Sequence, residues 1–509
     1  MFKKLLTLIC LLALVGMVAW KLAEPGRVEE KRLAALLATS DVRAFPETVT
    51  VGGDDWIGYL IFKSRVMQDA LAAQGIGLSY RLQPDFNQRV AELGTGQLDI
   101  AALTIDSFIL NGQAHAYPGV IGFIIDESSG GDVIIGGPGI NRLDDLRRDG
   151  IRGTFVGQSP SEFLLKATSS HFRLKNIQRD LRSWRTSTAQ ESYTALATQK
   201  ADFAVLWEPQ ASQALREIPG TQRLTDTNQA RDIIVDIAVF GRKFLQERPK
   251  VAQAVVKAYF QALHHYLNQP EELLGLAAAW GKVSREQARA LLGGLTFASL
   301  PANHDEWFGS TSTTPGRLFE TIPRITEILI EAGDLPDDPL GGNPHMITNR
   351  RLLGDLVATT DVPVLTNPPA APARDFSPLT VTDWNQRAAQ AVGTLVDDPI
   401  LFQRGTTDLT DESLAVLDQA LAKTNHYPRY RIIIEAGVSP GNDPAEDLRL
   451  SNARAEAIRT LFIQSKGIVE NRIYAFGTGS QQAPPRLPQE SYKAWENRCR
   501  YARILLAAY

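Results

Sequence analysis

The sequence predicts an α/β protein with a largely parallel sheet, followed by a smaller α+β unit, on three observations. Short β-type runs alternate with helical segments from Glu47 to about Ala332, the pattern of strand–helix–strand units. A stretch at 361–378, DVPVLTNPPAAPARDFSP, is Pro-rich and aperiodic, and so marks a linker. The 509 residues are too many for one compact core and suit about two to three domains of ~150 residues.

The elements follow in chain order. Met1-Phe2-Lys3-Lys4 precedes an uncharged apolar run from Leu5 to Trp20, which reads as a signal anchor over 1–22 with the N-terminus cytoplasmic and the rest across the membrane. Bulky Ile9 before Cys10 does not suit a lipoprotein cleavage site. The run is at the short edge of what spans a bilayer, so a cleaved signal peptide stays open beside an uncleaved anchor. Residues 23–46 form a charged, Ala/Leu-rich stalk. Strands are expected at Thr48–Val51, Leu78–Leu82 and Leu98–Leu103, and helices at Ile57–Leu71 and Asn87–Leu93. Longer helical patterns cover Phe244–Leu276, Ser284–Leu292 and Leu318–Ala332, with a last turn near Arg350–Leu356. The binding domain is thus placed at 47–356, the linker at 357–395 and the C-terminal domain at 396–509.

In parallel α/β sheets ligands sit at the carboxyl ends of strands. The candidate site is therefore five loops: Gly52–Tyr59, Thr104–Phe108, Asp126–Asp132, Gly157–Phe163 and Trp207–Gln210. Within them Asp55, Trp56, Tyr59, Thr104, Asp106, Asp126, Ser128, Ser129, Ser159, Ser161, Trp207 and Glu208 are the candidate ligand-binding residues. Ser159-Pro160-Ser161-Glu162 before an apolar run predicts a helix start with a capping box. Its free N–H groups could hold a ligand acceptor. Trp56, Tyr59 and Trp207 could stack on a planar or cationic ligand, although lone aromatics also serve cores.

The order Gly52-Gly-Asp-Asp-Trp-Ile-Gly-Tyr59, Gly96-x-Leu-Asp-Ile-Ala101, Asp126-Glu-Ser-Ser-Gly-Gly-Asp-Val133, Gly139-Ile-Asn-x-Leu-Asp-Asp-Leu146, Gly157-Gln-Ser-Pro-Ser-Glu-Phe-Leu-Leu165 and Ala201-Asp-Phe-Ala-Val-Leu-Trp-Glu-Pro209 resembles the periplasmic solute-binding proteins of the nitrate, sulfonate, taurine and thiamine-precursor group. The resemblance implies the type 2 periplasmic binding protein fold: two α/β lobes joined by two crossovers, the second lobe at about 133–225, closing by hinge motion on a solute. It also implies a permease of the ABC type, or a signalling partner, in the inner membrane.

The five loops hold Asp54, Asp55, Asp106, Asp126, Glu127, Asp132, Glu162 and Glu208 and no Lys or Arg. That chemistry suits a neutral or cationic, nitrogen-rich solute better than an anion, which is costly to bury without a counter-charge. No G-x-S-x-G, H-E-x-x-H or P-loop pattern is present, so no catalytic residue, cofactor or metal is expected. Cys10 and Cys499 alone exclude a disulfide framework. A net charge of −4 gives nucleic acid no basic surface.

Ile400-Leu-Phe402, Gly405, the helical spacing of Leu414, Leu417 and Leu421, the strand Tyr430–Glu435, Leu450-Ser-Asn-Ala-Arg-Ala-Glu-Ala-Ile458 and Phe476-Gly477-x-Gly479 resemble the OmpA-like peptidoglycan-binding domain. In that family a turn Asp and a helix Arg hold the diaminopimelate of the wall peptide. Arg454 matches the arginine, whereas Ser439 stands where the aspartate would be, with Asn442-Asp443 a few positions on. The resemblance thus implies peptidoglycan as a partner through Arg454 and Ser439, with the amine's charge partner lost. The function expected is an anchored periplasmic solute-binding protein. A scaffold tying membrane to wall, with a degenerate cleft, is the alternative.

Overall fold

The structure, a computed structural model, describes residues 45–507 except 231, 311–314, 359–375, 396–399, 404–405, 425 and 442. The anchor expected at 1–22, the stalk up to residue 44 and the Pro-rich part of the linker lie outside the described residues. No helix among the described residues is long and apolar enough to cross a membrane.

Strands β1 (Glu47–Gly53), β2 (Ile76–Leu82), β3 (Ile100–Thr104) and β4 (Gly119–Ser128) lead to β5 (Asp132–Gly136), and β6 (Phe155–Val156), β7 (Arg185–Thr186), β8 (Phe203–Trp207) and β9 (Gln222–Asp226) follow. The chain then returns through β10 (Val235–Gly241) and β11 (Leu295–Phe297). The first sheet has the order β11-β4-β10-β3-β1-β2, and the second β8-β5-β9. The two sheets are the cores of two lobes, and the chain crosses between them twice, at Ser128–Asp132 and Asp226–Val235. This is a two-lobe α/β architecture with two crossovers.

The sheets are less parallel than the alternation of elements predicts. β1 runs parallel to β2 and β3, but β10 is antiparallel to both β3 and β4, β11 is antiparallel to β4, and β5 is antiparallel to β8 and β9. Connectivity explains it. The chain leaves the first lobe at the carboxyl end of β4 and returns at that same end, so β10 must run backwards between its neighbours.

Local chemistry cuts the long helical patterns. The helix expected over Ile57–Leu71 is a 3-10 turn at Ile57–Lys63 and an α-helix at Arg65–Ala72, divided at Ser64, whose hydroxyl accepts from the Met67 N–H at 3.3 Å. The pattern over Phe244–Leu276 is cut by Pro249 and Pro270 into Arg242–Glu247, Pro249–Asn268 and Pro270–Gly281. Each proline opens a helix where its missing N–H costs nothing.

The C-terminal sheet orders β12 (Gly393–Thr394), β15 (Ala502–Ala507), β13 (Arg431–Ala436) and β14 (Ile473–Gly477) side by side. Part of the expected linker belongs to this unit. Helix Val381–Ala389 starts at a Thr380/Asp383 capping box, and Trp384 stacks on Tyr474 at 5.2 Å. Composition alone assigns residues 380–394 to the linker because the prolines before them dominate the local pattern.

The first lobe's core centres on Phe123, whose ring meets Tyr259 at 4.5 Å, Phe260 at 5.2 Å and Phe240 at 5.9 Å. Beside it, fully buried Asn303 bonds β4 just beyond the end of β11. Its Oδ1 accepts from the Ile124 N–H at 2.6 Å, and its Nδ2 donates to the carbonyls of Ile124 and Ala298, both at 2.9 Å. Asn303→Ala orphans buried backbone groups and is expected to lower stability by about 2–4 kcal/mol in urea unfolding. A loss under about 1 kcal/mol would mean β4 does not depend on it.

Candidate functional site

The carboxylates of the five loops fall into two groups once the helices are in place. Cations from outside the loops neutralise most of one group. Arg89, fully buried on helix Phe86–Thr95, pairs with Asp54 at 3.0 Å. Arg317 pairs with Glu127 at 3.0 Å and also with Asp232. Lys166 and Arg185 close on Glu162 at 2.6 and 2.5 Å and hold it below the usual carboxylate range against the cost of burial. Glu208 accepts from the N–H and hydroxyl of Ser212 at 3.1 and 2.8 Å, capping helix Gln210–Glu217. Asp55 is exposed, and its carbonyl accepts from Trp280 Nε1 at 2.8 Å.

The second group has no ion pair among the described residues. Asp126 is 0% exposed, Asp132 3% and Asp106 7%, and Asp236 on β10 joins them at 2%. Asp236 and Asp126 are register partners on neighbouring antiparallel strands, where the ladder shifts register between Asp236 and Ile237. Such partners stand ~5 Å apart at Cα. Burial raises every one of them. Asp126 is pushed up to about 8, with the charges of Asp132, Glu127 and Asp54 adding to desolvation and the Trp56 hydrogen bond opposing it. Asp132 rises to about 7 through burial and Asp106, against the Ser128 hydrogen bond. Asp106 rises to about 6 through burial, tempered by Thr104 and Lys166. Asp236 is held well above the carboxylate range by burial and by Asp126.

Neutral donors do what cations do elsewhere in the cleft. Trp56 Nε1 donates to Asp126 at 3.3 Å, and the Tyr59 hydroxyl donates to Asp236. Trp56 is aimed by an Asx turn, its N–H bonding Asp54 Oδ1 at 2.9 Å. Ser128 donates to Asp132 at 2.8 Å and lies 2.8 Å from the Thr227 hydroxyl. Thr227 also accepts from the Gly130 N–H at 2.8 Å, which ties the two crossovers together. Gly130 has φ +113°, a conformation side chains rarely adopt. The crossovers and the acidic centre therefore share Ser128 and Asp132.

The remaining candidates are placed as follows. Thr104 donates to Ser107 at 2.8 Å. Ser129 is half-buried, 3.0 Å from the Thr296 hydroxyl. Trp207 is half-buried at the end of β8, the register partner of Asp132. The predicted capping box is absent. The Ser159 hydroxyl turns back to the Val156 carbonyl at 2.8 Å, and Glu162 takes the Gln158 N–H at 2.7 Å rather than that of Ser159. The Ser161 hydroxyl and Asp106 Oδ1 are buried without a hydrogen-bond partner among the described residues. No cluster of metal-ligating side chains occurs among the described residues.

Sequence reasoning missed Asp236 because it lies within a strand, at the start of β10, rather than in a loop that follows one. Its signal is a lone acid in the apolar run Ile233–Gly241, since a charge in a buried strand needs a reason.

In the C-terminal domain Arg454 is buried, its Nε donating to the Thr406 carbonyl at 3.2 Å and its guanidinium lying 4.9 Å from the Phe402 ring centre. Burial and nearby Arg500 lower its pKa from the usual guanidinium value. Ser439 lies 3.5 Å from Arg500 Nε, while Arg500 pairs with Glu496 at 2.6 Å. Asp443 caps helix Pro444–Lys466, its Oδ1 accepting from the Ala445 N–H at 2.9 Å. Asn442 lies outside the described residues.

The model of the OmpA family matches residues 401–498, so the C-terminal unit is an OmpA domain. No curated protein sequence matches the chain. Among solved structures, the chain is similar to the periplasmic aliphatic sulphonate binding protein of Escherichia coli, at 17% identity over 60% of this chain and 91% of that one, with a TM-score of 0.45. It is similar to the periplasmic nitrate-binding protein of Synechocystis PCC 6803 at 12% identity, over 62% of this chain and 89% of that one, with a TM-score of 0.49. It is also similar to the alkanesulfonate-binding protein of Xanthomonas axonopodis pv. citri bound to MOPS, at 14% identity over 58% and 96%, with a TM-score of 0.43.

The raised aspartates set the pH response of the unliganded fold. The folded protein binds protons on Asp106, Asp126 and Asp132 that the unfolded chain has released above about 4, so stability is full below that pH and falls as the pH rises through about 6 to 8. The melting temperature at pH 8 is expected below that at pH 5. Asp126→Asn, which keeps the shape and removes the charge, should raise the pH 8 value by on the order of 2–4 °C. Equal melting temperatures for variant and wild type at pH 8 would contradict the burial of an unpaired carboxyl.

Proposed function

We propose that the chain is a non-catalytic, periplasmic solute-binding protein, anchored in the inner membrane by its N-terminal segment, that closes two lobes on a small cationic, nitrogen-rich solute. The observation that carries this reading is the set Asp106, Asp126, Asp132 and Asp236, buried beside the crossovers without an ion pair among the described residues, while neighbouring carboxylates have one. A protonated amine supplies that charge. In exchange the aspartates give up the protons that burial makes them keep. The sulphonate and nitrate in the names of similar structures would meet four acids here. Trp56, Tyr59 and Trp207, with the unpartnered Ser161 hydroxyl, are the remaining contacts proposed for the solute. An ABC permease or a signalling partner would receive the closed form.

Complete burial of Asp126 favours a second reading, in which Trp56 seals a degenerate cleft and the chain is an envelope scaffold. A thermal-shift panel of mono- and diamines, pyrimidines, alkanesulfonates and nitrate separates the two. Amines are expected to raise the melting temperature in proportion to RT ln(1 + [L]/Kd). Calorimetry of the best amine in buffers of different ionisation enthalpy should show net proton release at pH 6.5. A response to alkanesulfonate alone overturns the ligand class, and a flat panel favours the scaffold.

For the OmpA domain we propose residual wall binding through Arg454, weakened by Ser439. A buried guanidinium suits a carboxylate of the wall peptide. In sedimentation of the full chain with purified sacculi, Arg454→Ala should abolish pelleting and Ser439→Asp should tighten it about tenfold. Pelleting unaffected by Arg454→Ala would remove the site.

A further inference from the structure

The chain enters the OmpA domain from the first lobe, yet the domain is docked on the second. Thr348 bridges to Ile121 on β4, the Asn349 N–H donates to the Ile121 carbonyl at 2.9 Å, and helix Arg351–Ala358 follows at once. The OmpA domain makes a series of contacts with the second lobe. The Leu143 N–H donates to the Val392 carbonyl at 3.0 Å, Thr394 donates to Asp144 at 3.3 Å, and Thr225 lies 3.3 Å from the Tyr430 hydroxyl. A Cβ on Gly393 would stand 2.7 Å from the Phe172 ring, so that ring packs directly against the Gly393 backbone.

One helix of the second lobe serves both neighbours. Every residue of Pro160–His171 after Pro160 is buried. Toward the first lobe, Lys166 pairs with Asp334 at 2.6 Å and the Ser170 hydroxyl donates to Glu331. Toward the OmpA domain, the Ser170 carbonyl accepts from Lys423 at 3.3 Å. His171 Nδ1 lies 2.8 Å from the Tyr427 hydroxyl and its ring stacks on His426 at 4.9 Å. Ser170 is thus held by the first lobe through its side chain and by the OmpA domain through its backbone.

We propose that docking of the OmpA domain on the second lobe favours closure of the two lobes, transmitted by helix Pro160–His171, whose last turn both neighbours hold. The two contacts to the first lobe break when the lobes rotate apart about the crossovers. The dock positions the helix that makes them. Closure and docking are then coupled, and the coupling is reciprocal. A state of the OmpA domain, such as capture by a partner, sets how readily the cleft shuts. The solute consequence rests on the binding function proposed above, but the coupling itself does not.

The buried His171 gives this dock a pH dependence. Desolvation first, then His426, Lys423 and Arg324, hold it well below its ordinary 6.5, with the Tyr427 hydroxyl as its neutral neighbour. The docked form therefore binds fewer protons than an undocked one. The dock is at full strength above about 6.5 and weakens as the pH falls below it.

The test uses the full chain without solute, so its failure leaves the result of the amine panel untouched. Hydrogen exchange at the Leu143 amide reads the dock, and a spin-label pair at exposed Gln74 and Gln190 reads lobe separation. In the double variant Tyr427→Phe with Lys423→Met, Leu143 exchange should rise about tenfold and the label distance should lengthen and broaden. Glu331→Gln, made in the first lobe, should raise Leu143 exchange in turn, and wild type at pH 5.5 should move toward the double variant. A freed dock with an unchanged label distance overturns the coupling. Unchanged Leu143 exchange in the double variant overturns the assignment of the dock to these contacts.

Discussion

Two carboxyl groups facing each other across the middle of a sheet set the terms for everything around them. Asp126 on β4 and Asp236 on β10 are register partners, and both are buried. Ionising both would place like charges in a poorly solvated interior, an arrangement costing several kcal/mol per charge. The surrounding residues are those that such a pair permits. Trp56 and Tyr59 donate to it without adding charge, and Gly58 leaves room, since a Cβ there would collide with Asp126 Oδ2 and Trp56 Nε1. The guanidinium of Arg89 is committed to Asp54 and to the carbonyls of Gln83 and Ala102.

The position of this pair follows from connectivity. β10 is the first strand after the second crossover and β4 the last before the first, so their register partners necessarily lie at the junction of the lobes. Any charge that enters there acts on both crossovers at once. Asp132, which begins the second lobe, is tied through Ser128 to Thr227 on the other crossover. The acidic centre is thus bonded directly to residues of both crossovers.

Parts of this were legible in the sequence because they are local. Gly-rich loop ends, the carboxylates within them, and the absence of loop cations could all be read directly. What neutralises each carboxylate could not, because Arg89, Lys166, Arg185 and Arg317 come from elsewhere in the chain and only the fold brings them in. The absence of loop cations thus overstated the cleft's negative charge by Asp54, Glu127 and Glu162, and missed Asp236. The failed capping box at Ser159 has the same origin, since Arg185 and Lys166 pull Glu162 away from the helix start. By contrast, the Thr380/Asp383 box and the breaks at Pro249 and Pro270 are local signals masked by the composition around them.

The same reasoning separates the two ends of helix Pro160–His171. Near its start charge is balanced mostly within the second lobe, with Glu162 taking Lys166 and Arg185 while Lys166 also reaches Asp334 of the first lobe. At its last turn the balance is external, because Ser170 and His171 find their partners in the first lobe and in the OmpA domain. A helix satisfied at one end by its own lobe and at the other by two different bodies is rigid by its packing yet conditional in its placement. Rigid elements with two discrete placements are the parts through which domains influence one another. Here that element lies between a buried acidic centre and the OmpA domain. The two modules share a chain, but this helix is where they share an equilibrium.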